Sequence, residues 1–342
     1  MIAVPTEFPP LPPSLRASRP AEQRGIRRDH VRLLVIDRAA GTVHHSRFDQ
    51  LDEFLGPGDL LVVNSSRVLP AAVRAVRSTG EALQLRPCVR RAGLWDALAV
   101  QPRAPFANMP LVEGETLRIG EAPLQVLGRR LDIPLLWRLR VEATDDLDLI
   151  LRHGEPIRYS YVPEPVPLDA YQTVYATHPG SAEAPSAGRP LTWELLAGLR
   201  RHGIGLAELV LHTGLSSFQD DDFDAEHHLF EEWFEIGTAT ARAVNRAKKV
   251  VAVGTTVVRA LETAATSEGR VLPARGWTTL AIRPHRPPKA VDALLTGLHE
   301  PQASHFDLLR AFVSDPLLHQ AYADAVERGY LWHEFGDSAL IL

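Results

Sequence analysis

The chain has 342 residues and a single cysteine, Cys88. One thiol excludes an internal disulfide framework and a zinc site built from cysteines, and Cys88 reads as a small core residue. No apolar run is long enough to cross a bilayer, and residues 1–8 show no basic region followed by an apolar core. A cytoplasmic protein is expected. Internal repeats are absent. Lysine is missing between residues 67 and 140, where twelve arginines stand against six acidic residues, a local charge of about +6 in a chain whose net charge is −5. A basic segment on an acidic body could face a polyanion, or its arginines could simply solvate a small β domain.

What is present is ordinary for a folded protein: 45% hydrophobic and 23% charged residues, in a chain long enough for two cores. The organising stretch is Val250-Val251-Ala252-Val253-Gly254-Thr255-Thr256-Val257-Val258-Arg259-Ala260-Leu261-Glu262. Its first four residues predict a strand buried on both faces, and the spacing of Val257/Val258, Leu261 and Ala264/Ala265 predicts a helix. Gly254-Thr255-Thr256 is then the turn. Its helix N-terminus suits a carboxylate, phosphate or ribose hydroxyl. Arg259, one turn on, could bind the same ligand or pair with Glu262 at i+3.

Before this stretch, Arg32-Leu33-Leu34-Val35-Ile36-Asp37 and Thr42-Val43-His44-His45 predict strands, residues 48–55 a short helix, and Asp59-Leu60-Leu61-Val62-Val63-Asn64 a buried strand leaving into the polar cluster Ser65-Ser66-Arg67. From residue 71 to about 140 the texture becomes period-two alternation in short runs, the pattern of an antiparallel β-barrel or sandwich inserted between α/β segments. The division expected is an α/β unit of residues 1–70 and 150–342, interrupted by a β-barrel at 71–149. A helix is expected over residues 146–154. The small-residue and proline stretch 179–192 reads as a loop either functional or disordered, and its small residues favour close approach to a ligand. Thr192 caps a helix over 193–203, and Leu206-Ala207-Glu208-Leu209-Val210-Leu211-His212 is a strand ending at a Thr213-Gly214 turn. His212 there is placed as a general acid or base would be, or as a structural hydrogen-bonding histidine. The acidic run Asp220-Asp221-Asp222-Phe223-Asp224 reads as a solvated loop. Residues 231–247 predict one helix with acids in its first turn. Strands follow at 277–282 and within 290–295, then helices at 304–313 and 316–328, and two short strands around Gly336-Asp337 close the chain.

In this order the segments resemble the S-adenosylmethionine:tRNA ribosyltransferase-isomerase family of queuosine biosynthesis. The matching residues are Arg32 to Asp37, Gly58 to Asn64 with Arg67-Val68-Leu69-Pro70, Tyr171-Gln172-Thr173-Val174-Tyr175-Ala176, Gly180-Ser181 with Ala184-Pro185-Ser186-Ala187-Gly188, Leu211-His212-Thr213-Gly214, Val253-Gly254-Thr255-Thr256 with Arg259-Ala260-Leu261-Glu262, His299-Glu300-Pro301 and Phe335-Gly336-Asp337. The resemblance implies an α/β fold with an inserted β-barrel, and transfer of the ribosyl part of S-adenosylmethionine to an aminomethyl-deazaguanine base in tRNA with release of adenine and methionine. That chemistry asks for a base beside the sulfonium, help for adenine's departure, and a pocket for the methionyl carboxylate and ribose. It implies no cofactor beyond S-adenosylmethionine as co-substrate, no metal and no membrane. A monomer is expected, with tRNA met through the basic insert. His212, Glu232 and His299 become the candidate proton-transfer groups. Asn64, Arg67, Tyr171, Gln172, Tyr175, Ser186, Ala187, Gly188, Gly214, Gly254, Thr255, Thr256 and Arg259 become candidate substrate contacts.

The chain also departs from that family. Pro190 replaces a histidine, Ala72 an arginine, Phe230 a histidine ahead of the Ser-Glu pair, and Thr296-Gly297-Leu298-His299-Glu300-Pro301 stands for Thr-Asn-Phe-His-Leu-Pro. Proline cannot shuttle a proton and alanine cannot bind a phosphate. Two further readings therefore stand beside the family reaction: cleavage or isomerisation of S-adenosylmethionine with a small or no acceptor, and a non-catalytic ligand- or RNA-binding relative.

Overall fold

The structure, a computed structural model, describes residues 11–342 except 92, 144, 160, 216–217, 219–230 and 301–303. The acidic run 220–224, Phe230 and Pro301 lie outside the described residues. Nine strands form one mixed sheet in the order Ala274–Thr278, Glu232–Ile236, Gly205–Leu211, Asp59–Asn64, Lys249–Val253, Ala293–Gly297, Ser338–Ile341, Arg32–Asp37 and Thr42–Arg47. The four from Gly205–Leu211 to Ala293–Gly297 run parallel. Covered on both faces, the central strand Asp59–Asn64 is buried at every position, which is why it reads as an unbroken apolar run. Leu60 and Val62 join the core packed under the helices Thr238–Val244, Thr255–Ala264 and Asp315–Glu327, whereas Leu61 and Val63 join the opposite core beneath Trp193–Arg201. Thr192 caps that last helix by accepting the Leu195 N–H at 3.2 Å.

Six antiparallel strands, Ala72–Arg77, Ala82–Arg91, Leu94–Val100, Leu136–Val141, Ala122–Arg129 and Thr116–Ile119, close into a barrel because the last pairs back onto the first. Their alternation fills it with Trp95, Leu83, Leu85, Leu117 and Leu139. Cys88 packs on this core, its thiol donating to the Asp96 carbonyl at 3.1 Å, and burial pushes the thiol's pKa up. The two chain segments joining barrel to sheet touch: Gly154 pairs with Val73, and a Cβ on Gly154 would stand 1.8 Å from the Pro70 carbonyl oxygen. The helix Asp146–His153 leads into this neck.

Several expected elements differ. Residues 231–247 are not one helix: Glu232–Ile236 is a strand whose burial alternates, with Phe234 and Ile236 inward, and Gly237 separates it from the short helix Thr238–Val244. The period of two outweighs the helix-forming glutamates. Residues 48–53 are 3₁₀ rather than α-helical, the strand expected at 277–282 lies at Ala274–Thr278, and the one expected within 290–295 runs Ala293–Gly297. Of the two closing strands only Ser338–Ile341 forms. Ahead of it the Asp337 carboxylate takes the N–H groups of Leu331 at 2.7 Å and Arg32 at 2.8 Å, so a side chain replaces the missing ladder.

The barrel is tied to the sheet by charge as well. Arg130, nearly buried, contacts Asp96 at 3.1 Å and Glu231 at 3.1 Å; Arg91 reaches Glu231 at 2.9 Å and lies 4.1 Å over the Trp277 ring. Without Arg130, Asp96 keeps Arg138 and Glu231 keeps Arg91, so each anion is left with fewer partners rather than none. Arg130→Ala should lower unfolding free energy by about 2 kcal/mol, read as a lower urea midpoint at unchanged slope; a loss under about 0.5 kcal/mol would show that the network does not hold the interface.

Candidate active site

Parallel strands deliver their carboxyl ends to one edge of a sheet, where the backbone groups of the last residues need partners outside the ladder. Here that edge collects Asn64, His212, Gly254 and Gly297, and the antiparallel neighbour brings Glu232 to it. Asn64 is buried, and its carboxamide bonds both backbone groups of Leu211, accepting its N–H at 3.0 Å and donating to its carbonyl at 2.8 Å. Its oxygen also takes the Ser66 N–H at 3.1 Å, and its nitrogen approaches Thr256 Oγ1 at 3.4 Å.

Directed by this turn, Ser66 Oγ lies 2.8 Å from His212 Nδ1 and 2.6 Å from Ser181 Oγ, which accepts the Thr213 N–H at 3.0 Å. The imidazole stacks on Trp233 with ring centroids 5.2 Å apart. Gly180 leaves room for it, since a Cβ there would meet the ring at 2.3 Å. Burial, with the positive field of Arg90 and of His178 when charged, brings the His212 pKa down to about 4, so the ring is neutral at pH 7.

Beside it, Glu232 accepts the Gly214 N–H at 2.8 Å on one oxygen and ion-pairs with Arg259 through the other. Arg259 also donates from Nε to the Leu280 carbonyl at 2.9 Å. The i+3 partner considered from sequence is otherwise engaged: Glu262 accepts the N–H groups of Lys289 and Ala290. Gly254 caps the helix Thr255–Ala264 at φ +93°, a conformation that side chains disfavour, and touches Ala187 of the small-residue loop, whose Cβ lies 3.4 Å from where its own would be. Thr255 is buried and Thr256 half-buried. Behind Ala187, Gly188 seats the buried Tyr175 hydroxyl, 1.8 Å from a would-be Cβ.

His299 stands at the Gly297 end of this edge, apart from Glu232. It follows the strand Ala293–Gly297, four strand spacings from Glu232, roughly 19 Å at ~4.8 Å per strand, and its Nε2 lies 3.1 Å from Thr296 Oγ1. The narrow cleft at that end is lined by Ser186, Pro190, Gly297, His333 and Glu334 among others, so two of the departures from the resemblance share one wall. Glu334 is pushed up to about 7 by burial, and His333 pairs with Glu300 at 3.0 Å.

Other candidates are framework. Tyr171 packs on Phe335 with centroids 5.1 Å apart, and the Gln172 carboxamide imitates a strand by bonding the Val68 N–H at 3.1 Å and carbonyl at 2.9 Å. Both side chains are buried. Ala72 is buried in the barrel core. Arg67 is exposed, and its guanidinium has no hydrogen bond or ion pair among the described residues. Sequence reasoning missed Ser66, Ser181 and Trp233 as partners of His212. The polar cluster after strand Asp59–Asn64 was the available signal, but only topology brings it against residue 212. Among the described residues no cluster of three His, Cys, Asp or Glu is placed to hold a metal.

A family model described as "Queuosine biosynthesis protein" matches residues 8–341. The chain is 39% identical over 335 residues to an S-adenosylmethionine:tRNA ribosyltransferase-isomerase of Rubrobacter xylanophilus, covering 97% of this chain and 95% of that one. It is 37% identical over 341 residues to the protein of that name in Moorella thermoacetica, covering 97% of each. A crystal structure of S-adenosylmethionine tRNA ribosyltransferase from Thermotoga maritima superposes with a TM-score of 0.54 at 31% identity, covering 98% of this chain and 99% of that one.

The lowered His212 pKa has a stability consequence of definite sign. Between the ordinary value of 6.5 and about 4 the unfolded chain binds a proton that the folded one refuses. His212 therefore supports folding fully above about pH 6.5 and loses this as pH falls, by roughly 3 kcal/mol at most. Urea unfolding at about pH 7.5 and about pH 5 should show a steeper decline in the wild type than in His212→Gln; parallel declines would mean the ring titrates normally. Gly180→Ala should displace the ring and cut turnover at least about tenfold.

Proposed function

The chain belongs to the queuosine biosynthesis protein family, and we propose that it works as an S-adenosylmethionine:tRNA ribosyltransferase-isomerase. The ribosyl part of S-adenosylmethionine moves to an aminomethyl-7-deazaguanine base in tRNA, and adenine and methionine leave. The observation that carries the reading is the match over residues 8–341, which spans both the sheet and the barrel. The clustering of His212, Glu232, Arg259 and the Gly254 turn at one sheet edge supports it. In this reading residues 1–70 and 150–342 form the catalytic unit, and the barrel of 71–149 presents the RNA.

Each part of the edge has a task that its chemistry suits. The Gly254-Thr255-Thr256 turn offers backbone N–H groups and a hydroxyl to the donor's carboxylate or ribose. Neutral His212 faces the reacting nucleoside. Glu232, held by Arg259 and Gly214, supplies fixed negative charge beside a sulfonium cation. The arginines of the insert divide between the two uses that their number alone left open. Arg77, Arg90, Arg91, Arg130 and Arg138 are ion-paired within the protein; Arg118, Arg129 and Arg140 are exposed and donate to neutral oxygens of the barrel; Arg74 and Arg103, with Arg67 just ahead of the insert, are exposed and have neither a hydrogen bond nor an ion pair among the described residues. Arg67, Arg74 and Arg103 are the phosphate-binding groups we assign.

One observation favours a second reading, cleavage of S-adenosylmethionine without an RNA acceptor: Pro190 and Gly297 alter the same cleft. Purified protein incubated with S-adenosylmethionine should release adenine and methionine only when tRNA carrying the aminomethyl base is added. Equal release without RNA would replace the first reading by the second, and no release in either arm would end both. Arg74→Glu with Arg103→Glu should raise KM for tRNA and lower the salt slope by about one for each phosphate no longer neutralised, leaving KM for S-adenosylmethionine unchanged. An unaltered salt slope would remove the barrel from RNA binding. Glu232→Gln should lower kcat about a hundredfold, read in the same assay, with near-normal turnover excluding a role for its charge.

A further inference from the structure

Behind His212 four polar groups stand in single file. The Thr213 N–H points at Ser181 Oγ at 3.0 Å, Ser181 Oγ is 2.6 Å from Ser66 Oγ, and Ser66 Oγ is 2.8 Å from His212 Nδ1. Both serines are fully buried, so each hydroxyl proton needs an acceptor within the protein. An amide N–H can only donate, which fixes one end of the file. Ser181 Oγ accepts from Thr213, and among the described residues its own proton has a single acceptor in reach, Ser66 Oγ. Ser66 in turn can direct its proton only to His212 Nδ1, since its other neighbour is already donating to it. The reverse direction, with the proton on Nδ1, would leave the Ser181 hydroxyl proton buried and unmatched.

We infer that Ser66 and Ser181 are positioning residues that hold His212 as its Nε2–H tautomer, so that His212 is a hydrogen-bond donor to a ring nitrogen of the departing purine and not a proton-abstracting base. An imidazole whose Nδ1 already accepts a hydrogen bond has no second lone pair to offer at Nε2. Trp233 stacks on the ring, and Gly180 lies within a methyl group's breadth of it, so exchanging the two nitrogens by a ring flip would require both to move. The charged and titratable groups acting on the ring, Arg90 and His178, both oppose its protonation. Neutral imidazole polarises without passing on a proton, and no atom changes hands in this step. The purine as recipient rests on the transferase reading above; the tautomer does not.

Long-range ¹H–¹⁵N correlation spectra of the labelled protein test the tautomer without any turnover. The His212 signals, identified among the 14 histidines by their loss in His212→Gln, should show the Nε2–H pattern unchanged from about pH 5.5 to about pH 8. An Nδ1–H pattern, or an imidazolium forming near the ordinary histidine value, would overturn the inference. Ser66→Ala should mix the two tautomers and lower kcat roughly tenfold at unchanged KM for S-adenosylmethionine, and Ser66→Thr, which keeps a hydroxyl, should restore both. A single Nε2–H species persisting in Ser66→Ala would remove the positioning role. His212→Gln, which retains an N–H donor, should keep more kcat than His212→Ala, which should lose about a hundredfold. Equal losses, with a wild-type pH–rate limb near the histidine value that His212→Gln abolishes, would make the residue a base.

Discussion

Where the central strand ends, the Asn64 carboxamide takes over from the backbone ladder. It bonds the Leu211 N–H and carbonyl as a neighbouring peptide would and turns the chain by accepting the Ser66 N–H. Without such a group, two strand ends would bury unpaired polar atoms at the point where they diverge. With it, the divergence is stable, and the gap that opens is where Ser66, Ser181 and His212 meet. A residue whose type suggested substrate contact thus acts one layer back, setting the geometry on which the contacts at the edge depend. Gln172 repeats the device at Val68, and Asp337 repeats it at Leu331 and Arg32.

These three side chains share a logic. Each belongs to a stretch that resembles the family, each is polar and buried, and each closes a place where regular hydrogen bonding fails. Buried polar groups are held by the geometry they satisfy. Their presence in motifs therefore marks framework around the site as much as the site itself.

Much of the fold was legible from periodicity. The buried run at Asp59–Asn64, the strand and helix around Gly254, the alternating runs of the barrel and the cap at Thr192 all follow from local chemistry that tertiary structure leaves unchanged. The failures fall where two local signals compete. At 231–236 the glutamates and the following helix masked a clear alternation, and at 331–337 the Gly336-Asp337 turn suggested a strand ahead of it where one aspartate does the pairing. The site was legible only as a set of parts. Which strand lies beside which is a long-range property, so the sequence could name His212 and the Ser65-Ser66 cluster but not their encounter. Nor could it separate His299 from Glu232, because distance along the sheet edge follows strand order rather than chain order.

Among the described residues the barrel is fastened to the sheet at separate points: the neck where Gly154 lies against Pro70, the arginine clasp on Glu231, and the packing of Ala182, Leu215 and Phe218 on the barrel core. A body pinned at several separated points has no free hinge. If the barrel presents the RNA as proposed, the substrate is held at a set reach and angle from the sheet edge. Because Glu231 is the immediate neighbour of Glu232, the arginine clasp is anchored a single residue from the candidate site.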